Sequence, residues 1–163
     1  MALYGIALLP LAELLRNEYP DVLQPWYADD AAMQGVPSRV AKCFKLLTEV
    51  GPMFGYLPEP EKSFAICPLA SEEGVLAAFA SEGLNMKACR GHRYVGGYVG
   101  SLEMRNRWAG PKVDSWVAAV KTISMIAGKY PQSAYHGFAL PLQAEWQYLC
   151  RCVPGVGVHL APV

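Results

Sequence analysis

The sequence of 163 residues lacks the features of several large classes of protein. No apolar run reaches the ~18–20 residues that a membrane-spanning helix needs, so no membrane partner is expected. The most apolar stretch, Ala2 to Ala12, has no basic segment before it and is predicted to be a buried helix rather than a secretory signal. Charged residues make up only 17% and hydrophobic residues 53%, which excludes a disordered chain. We therefore expect about one domain with a real core.

Cysteine spacing gives no sign of a metal-binding knuckle. The five cysteines are Cys43, Cys67, Cys89, Cys150 and Cys152, and no two of them form a Cys-x-x-Cys pair. Cys43 falls on the apolar face of a predicted helix, where it is expected to act as a small buried hydrophobe. An odd number of unpatterned cysteines favours a reducing intracellular compartment.

The formal net charge is zero, which argues against a generally basic nucleic-acid binder, but the charges are unevenly distributed. Residues 1–30 contain five acidic residues and one basic residue, a balance of −4. Residues 31–100 have a balance of +1, and residues 101–163 have six basic and three acidic residues, a balance of +3. An acidic beginning and a basic end would separate metal binding from phosphate binding.

Hydrophobic spacing predicts an α+β fold in the first part of the chain. Apolar residues recur at helical spacing over 1–19, with an interruption at Pro10. A second helix is predicted to begin at an N-cap, Ser38, and to end at Gly51. A third is predicted over 71–83, with acidic residues in its first turn.

Short extended segments are predicted between and after these helices. They lie at 63–67, 84–88 and 94–99, and the last two are predicted to be joined by a polar loop at 90–93. Each is too short to form a large sheet by itself. A small antiparallel sheet is therefore expected.

The last part of the chain is predicted to be entirely helical. One apolar stripe runs from Val113 to Ile123, and another runs from Tyr135 to Leu149 with a kink at Pro141. These patterns place a domain boundary near Gly110, with one region over 1–109 and a helical region over 110–163.

The string Tyr27-Ala28-Asp29-Asp30 is the most informative motif. Short apolar runs on both sides predict a β-hairpin with the two acids at its tip. Adjacent carboxylates suit Mg²⁺, which takes one or two carboxylates together with substrate phosphates. Side chains alternate along a strand, so one of the two acids is expected to be the main ligand. Two acids in an ordinary solvated turn are the alternative.

Trp26-Tyr27-Ala28-Asp29-Asp30-Ala31 resembles the third catalytic motif of the reverse transcriptase palm, in the form found in non-LTR retrotransposons and related retroelements. The segment from Gly51 to Ser63 is similar to the family's fourth motif, which leads to a lysine, here Lys62. The run Arg93-Tyr94-Val95-Gly96-Gly97 resembles the hairpin that grips the primer in this family. A helical thumb follows in the family, and the region over 110–163 suits one.

The resemblance implies nucleotidyl transfer from deoxynucleoside triphosphates to a primer on an RNA template by two Mg²⁺ ions, with Mn²⁺ as an alternative. It assigns Asp29 and Asp30 to the metal and Lys62 to the leaving pyrophosphate. It implies contact with a primer, or with the RNA or DNA template, by Tyr27, Tyr94, Gly96, Gly97, Arg105, Arg107, Lys112 and Lys121. A half-buried strand aromatic, a solvated lysine, plain turn glycines and a solvated basic face are the structural alternatives.

The family's palm also contains an aspartate on an upstream strand, and its fingers lie upstream as well. Only 26 residues precede Tyr27, and none of them is an aspartate on a predicted strand. The resemblance therefore covers the C-terminal half of a palm and a thumb. We expect the isolated chain to be inactive as a polymerase and to need the missing palm and fingers as partner.

Two other functions remain open from the sequence. One is a non-catalytic retroelement remnant that binds nucleic acid through its basic end, with an affinity that falls steeply with salt and needs no Mg²⁺. The other is a small helical interaction protein in which the Asp-Asp turn is incidental. This last alternative predicts neither nucleic-acid affinity nor a response of thermal stability to Mg²⁺.

Overall fold

The computed structural model describes residues 2–27 and 30–159, and of Ala2 and His159 the backbone alone. The predicted α+β class is confirmed, with about 65% helix and small sheets of two strands each. The chain forms two compact units, Met1–Arg90 and Gly91–Val163. Among the described helices, none has both the length and the apolar character required to cross a bilayer.

The first unit contains three helices: α1 over Ala2–Glu18, α2 over Pro37–Val50 and α3 over Glu72–Ala80. The predicted interruption at Pro10 is wrong, because α1 continues through it. A proline removes one backbone donor from a helix. Here the helix is stabilised beyond that point by burial of Leu11 and Leu15, the two most deeply buried side chains of α1.

The start of α2 differs from the prediction. The helix begins at Pro37, with Val36 as the extended residue before it, and the N-terminus receives no side-chain hydrogen bond. The predicted cap, Ser38, therefore lies inside the first turn. Proline suits the first helical position because its fixed φ is already helical and its missing N–H has no helical partner there. A 3₁₀ turn over Gly51–Phe54 follows α2 directly.

The strands of the first unit are β1 over Trp26–Tyr27, β2 over Asp30–Ala31, β3 over Phe64–Ile66 and β4 over Lys87–Cys89. β1 and β2 form an antiparallel hairpin, whereas β3 and β4 are parallel. The expected antiparallel arrangement is thus wrong for the second pair. The crossover through α3 returns the chain in the same direction, as parallel pairing requires.

Two apolar clusters fill the first unit. The first lies between α1 and α2, and its buried members are Leu8, Leu11, Leu15, Val22, Cys43 and Leu47. The second lies between α2 and α3, and its buried members are Ala41, Val75, Phe79 and Met86. The predicted burial of Cys43 is confirmed. Both clusters contain side chains of α2, so this helix lies at the centre of the unit.

The second unit opens with a hairpin of β5 over Gly91–Tyr94 and β6 over Gly97–Gly100. The polar loop predicted at 90–93 is therefore wrong, because most of it is strand. The polar side chains of His92 and Arg93 are exposed while their backbones pair with β6. Backbone pairing with β6, and not an alternation of buried and exposed side chains, keeps so polar a segment extended.

The helical end begins earlier than its apolar stripe predicts. Helix α4 spans Leu102–Ala127, and the hydroxyl of Ser101 accepts a hydrogen bond from the backbone N–H of Met104 at its N-terminus. Pro111 lies inside this helix, so the domain boundary predicted near Gly110 falls within α4. The two compact units divide instead between residues 90 and 91.

The second predicted apolar stripe, from Tyr135 to Leu149, is helical, and the helix is irregular at Pro141, as expected. It comprises α5 over Pro131–Gly137, a π-helical turn over Phe138–Leu142 that contains Pro141, and α6 over Gln143–Cys152. The buried residues of this unit are Ala109, Val113, Trp116, Leu142, Leu149, Val153 and Val156. They place the core between α4, the π-helical turn and α6.

Candidate functional site

Two short strands on either side of the centre of the Tyr-Ala-Asp-Asp motif pair with each other. Trp26 pairs with Ala31, and Tyr27 pairs with Asp30. The pairing continues toward the other end of the hairpin, because Leu23 and Gln34 exchange two backbone hydrogen bonds of 2.8 Å. The predicted antiparallel pairing is confirmed, and Asp30 lies in the described pair nearest the centre of the motif.

The described acid of this hairpin is open to solvent. Asp30 is exposed, and its strand partner Tyr27 is 57% exposed. Asp29, the other predicted ligand, lies outside the described residues, as does Ala28. The described part of the motif therefore contributes one accessible carboxylate and one accessible phenol ring.

Lys62 lies in a 3₁₀ turn over Pro60–Lys62. Its ammonium group forms an ion pair with Glu59, with 2.6 Å between Nζ and Oε2, and the lysine side chain is 76% exposed. Within residues 2–27 and 30–159, the ion pair of Lys62 is with Glu59 and not with Asp30. A surface pair of this kind contributes little stability, so Lys62 remains free to exchange partners.

At the hairpin, the described residues supply one possible metal ligand, the carboxylate of Asp30. No group of three or more His, Cys, Asp or Glu side chains gathers among the described residues. A complete protein cage is thus absent from that part of the chain. Mg²⁺ requires no such cage, because it keeps several waters and is commonly held by one or two carboxylates and by substrate phosphates. Asp30, with Asp29 beside it in the sequence, is compatible with that mode.

The second predicted nucleic-acid element is also a tight hairpin. Tyr94 pairs with Gly97, and the two loop residues, Val95 and Gly96, have φ of 46° and 77°. Positive φ at both loop residues is the geometry of a two-residue hairpin turn that matches the twist of its strands. Glycine adopts it freely, whereas a β-branched residue such as Val95 is strained there.

Contacts within the second unit account for both glycines. The hydroxyl of Tyr148 on α6 donates a hydrogen bond to the carbonyl oxygen of Val95. A Cβ at Gly96 would meet the ring of that tyrosine at 3.2 Å, and Gly97 is buried beside Cys152 and Val153. The hairpin loop thus packs on the end of α6. These contacts support the structural interpretation of Gly96 and Gly97.

The four predicted basic residues all lie on α4, but on opposite sides of it. At 100° per residue, Arg105 and Lys112 share one side, and Arg107 and Lys121 share the other. The second side also contains Glu103 and Asp114 at matching positions. The structure therefore does not gather the four bases into one patch.

Three of these bases already have protein partners. Arg105 donates hydrogen bonds to the carbonyl oxygen of Pro154 and to the side chain of Asn106. Lys112 pairs with Glu145 at 3.6 Å. Arg107 pairs with Glu103, one turn earlier, at 2.9 Å. Lys121 is exposed and forms no ion pair within the described part of the chain.

A contact between two aromatic rings, which the sequence does not predict, anchors the hairpin. The ring of Trp26 lies edge-on to the ring of Tyr56, with 5.4 Å between ring centroids and 68° between the planes. Tyr56 belongs to the turn between α2 and Lys62. In the sequence, an aromatic residue directly after Gly55 indicates only a turn. The spacing of residues therefore does not predict that the ring of Tyr56 contacts Trp26.

A bidentate ion pair near the start of α2 was also missed. The carboxylate of Asp21 accepts hydrogen bonds from Nε and Nη2 of Arg39, both at 2.8 Å. The hydrogen bonds from Arg39 lower the pKa of Asp21. Arg39 also lies over the ring of Tyr19, 4.8 Å from its centroid. This acid is thus occupied structurally, in contrast to Asp30.

Comparison of the chain with known protein families, with curated protein sequences and with solved structures finds no match.

Proposed function

We propose that this chain contains part of a reverse-transcriptase-like nucleotidyl-transfer site, with a partial palm followed by a thumb-like helical region. The observation that carries the proposal is the pairing of Tyr27 with Asp30 on a hairpin that contains the Tyr-Ala-Asp-Asp motif. This motif and the later hairpin at Gly91–Gly100 occur in the order that the resemblance predicts. The helical end follows them.

In this proposal, Asp29 and Asp30 hold a divalent cation, Mg²⁺ or Mn²⁺, whose positive charge stabilises negative charge on the phosphates of a nucleoside triphosphate. Asp30 is exposed and has no described ion-pair partner, so its carboxylate is available. Lys62 would exchange Glu59 for the pyrophosphate, because its present pair lies at the surface. Tyr27 would support the end of the primer with its exposed ring.

The isolated chain is expected to bind the cation without extending a primer, because the resemblance places a further catalytic aspartate upstream. The remaining part of a palm and the fingers, which the resemblance implies, would act as partner. The five cysteines are free thiols, and a reducing intracellular compartment is part of the proposal.

The decisive experiment measures Mn²⁺ binding by paramagnetic broadening of the amide signals of the hairpin. Asp29→Asn and Asp30→Asn are expected to weaken the binding strongly. Asp21→Asn is the matched control, since it removes an acid of the same unit that is already paired with Arg39. Equal broadening in all three variants would refute the cation site. Primer extension by the purified chain would refute the expected inactivity.

A second candidate function is nucleic-acid binding without catalysis. The observation that favours it is the composition of Gly91–Val163, which contains seven basic and three acidic residues. Binding of this kind falls with salt and does not depend on Mg²⁺. Titration of a fluorescent RNA or DNA oligonucleotide at several salt concentrations, with and without Mg²⁺, separates the two functions.

A further inference from the structure

Backbone hydrogen bonds hold the turn between α2 and Lys62 in place around Tyr56. The backbone N–H of Tyr56 donates to the carbonyl oxygen of Gly51 at 3.0 Å, and that of Gly55 donates to Pro52 at 3.2 Å. Gly55 has φ of 74°, which favours glycine. A Cβ at Gly51 would lie 2.6 Å from the carbonyl oxygen of Tyr56, so only glycine fits. The turn therefore fixes where the backbone of Tyr56 lies.

From this fixed backbone, the side chain of Tyr56 reaches the base of the acidic hairpin. Its ring packs edge-on against Trp26, which immediately precedes Tyr27 and pairs with Ala31. An edge-to-face pair of aromatic rings is stabilised beyond its buried area, because the positive edge of one ring meets the negative face of the other. Both rings also pack on the apolar cluster between α1 and α2. The ring of Tyr56 thus joins the hairpin to the segment that leads to Lys62.

We propose that Tyr56 is a positioning residue, which acts through Trp26 to hold the Asp30 hairpin in place relative to the segment that contains Lys62. This inference rests on the proposed cation function of the hairpin. Tyr56 itself touches neither the cation nor a substrate in this role. It sets the position of the carboxylate through the contact of its ring with Trp26.

The test compares Tyr56→Ala with Tyr56→Phe in the full chain, with Mn²⁺ as the probe. Removal of the ring is expected to weaken Mn²⁺ binding by up to about tenfold, the largest fold-change that corresponds to the loss of one edge-to-face ring pair. It should also reduce the paramagnetic broadening of the Gly55 and Lys62 amide signals at equal Mn²⁺ occupancy. Tyr56→Phe keeps the ring and should restore both.

Leu47→Ala is the matched control, because it truncates a buried side chain of the same cluster and leaves both aromatic residues in place. If Leu47→Ala weakens Mn²⁺ binding as much as Tyr56→Ala does, general loosening explains the effect and the inference is overturned. Should Tyr56→Ala fail to fold, Tyr56→Leu retains apolar volume without an aromatic edge and is expected to show the same loss.

The outcomes separate the two proposals. Binding that Asp30→Asn abolishes and Tyr56→Ala leaves unchanged overturns the positioning role alone. Absence of Mn²⁺ binding by the wild-type chain overturns the cation function on which that role depends. Binding that Asp30→Asn abolishes, that Tyr56→Ala weakens and that Tyr56→Phe retains supports both proposals.

Discussion

The two compact units have opposite charge. Met1–Arg90 contains eleven acidic and seven basic residues, a formal balance of −4, whereas Gly91–Val163 contains three acidic and seven basic residues, a balance of +4. A chain whose charges sum to zero thus consists of one part that attracts cations and one that attracts polyanions. The total charge alone conceals this division, which matches the two ligands of the proposed function.

The cores of the units differ as well. Leucines of α1 and α2 dominate the first, whereas indole rings are prominent in the second. The ring centroids of Trp116 and Trp146 are 6.2 Å apart. The indole N–H of Trp116 donates a hydrogen bond to the carboxylate of Glu145 at 3.0 Å. The second unit therefore combines ring packing with a specific polar contact. Its core depends on orientation more than an aliphatic core does.

The largest expected effect comes from matched cavities in the two cores. Leu11→Ala in α1 and Leu149→Ala in α6 each remove a leucine that is at most 3% exposed, and each should cost about 2–5 kcal/mol. Because the clusters are separate, each variant is expected to lose hydrogen-exchange protection mainly in its own unit. Equal loss of protection in both units for either variant would show that the units unfold as one.

The next effect concerns a thiol buried in the first unit. Burial raises the pKa of Cys43 to about 11 from its ordinary value of 9.0. The folded state therefore holds this proton more firmly than the unfolded state does. The resulting stability is complete below pH 9 and is lost as the pH rises toward 11. The loss is at most about 3 kcal/mol.

Denaturant unfolding at neutral and alkaline pH measures this loss. Cys43→Ala is expected to reduce the alkaline loss of stability relative to the wild type. Cys150→Ala, at an exposed thiol of the second unit, should leave it unchanged. An alkaline loss of the same size in the wild type and in Cys43→Ala would contradict this assignment.

A smaller effect is expected for nucleic-acid affinity. Lys121→Glu reverses an exposed charge in the basic unit, and Lys42→Glu does the same in the acidic unit. If the basic unit binds phosphates, Lys121→Glu should weaken oligonucleotide binding several-fold and reduce the slope of log affinity against log salt by about 1. Lys42→Glu should have little effect. Equal effects would show that overall charge, and not the basic unit, determines the affinity.

The smallest effect is expected at the exposed pair of Asp21 and Arg39. The hydrogen bonds from Arg39 lower the pKa of Asp21, so the stability that the pair contributes is present above the ordinary carboxyl pKa. It is lost as the pH falls through the lowered value. Asp21→Asn should slightly reduce the stability at neutral pH and flatten its acid dependence, as followed by thermal unfolding. An unchanged acid profile would show that this pair contributes nothing.

Local periodicity was enough to predict much of this fold. The apolar spacing within α2 predicts both the helix and the burial of Cys43. The short segment around the acidic motif likewise predicts its hairpin. Two turn signals were misleading. Gly110-Pro111 lies within α4, where a proline is accommodated by the surrounding helix. The polar stretch after Arg90 is a strand, because its backbone pairs with β6.

The remaining features depend on residues far apart in the sequence. The parallel pairing of β3 with β4 joins Ala65 to Ala88 across α3, and no short motif specifies it. The candidate site shows the same limit. The motif predicts Asp30 on a hairpin, but the Trp26–Tyr56 contact that anchors this hairpin joins residues 30 positions apart.

The π-helical turn over Phe138–Leu142 has a consequence for the docking of α6. The backbone N–H of Gln143 donates to Phe138, five residues earlier, so this turn contains one residue more than an α-helical turn. Deleting the exposed Leu140 would leave the same N–H and carbonyl groups four residues apart, which is the spacing of an ordinary α-helical turn. The later side chains would keep their direction about the helix axis, so Leu149 would remain in the core with Trp116. The widened turn therefore absorbs one residue without changing the angular phase of α6.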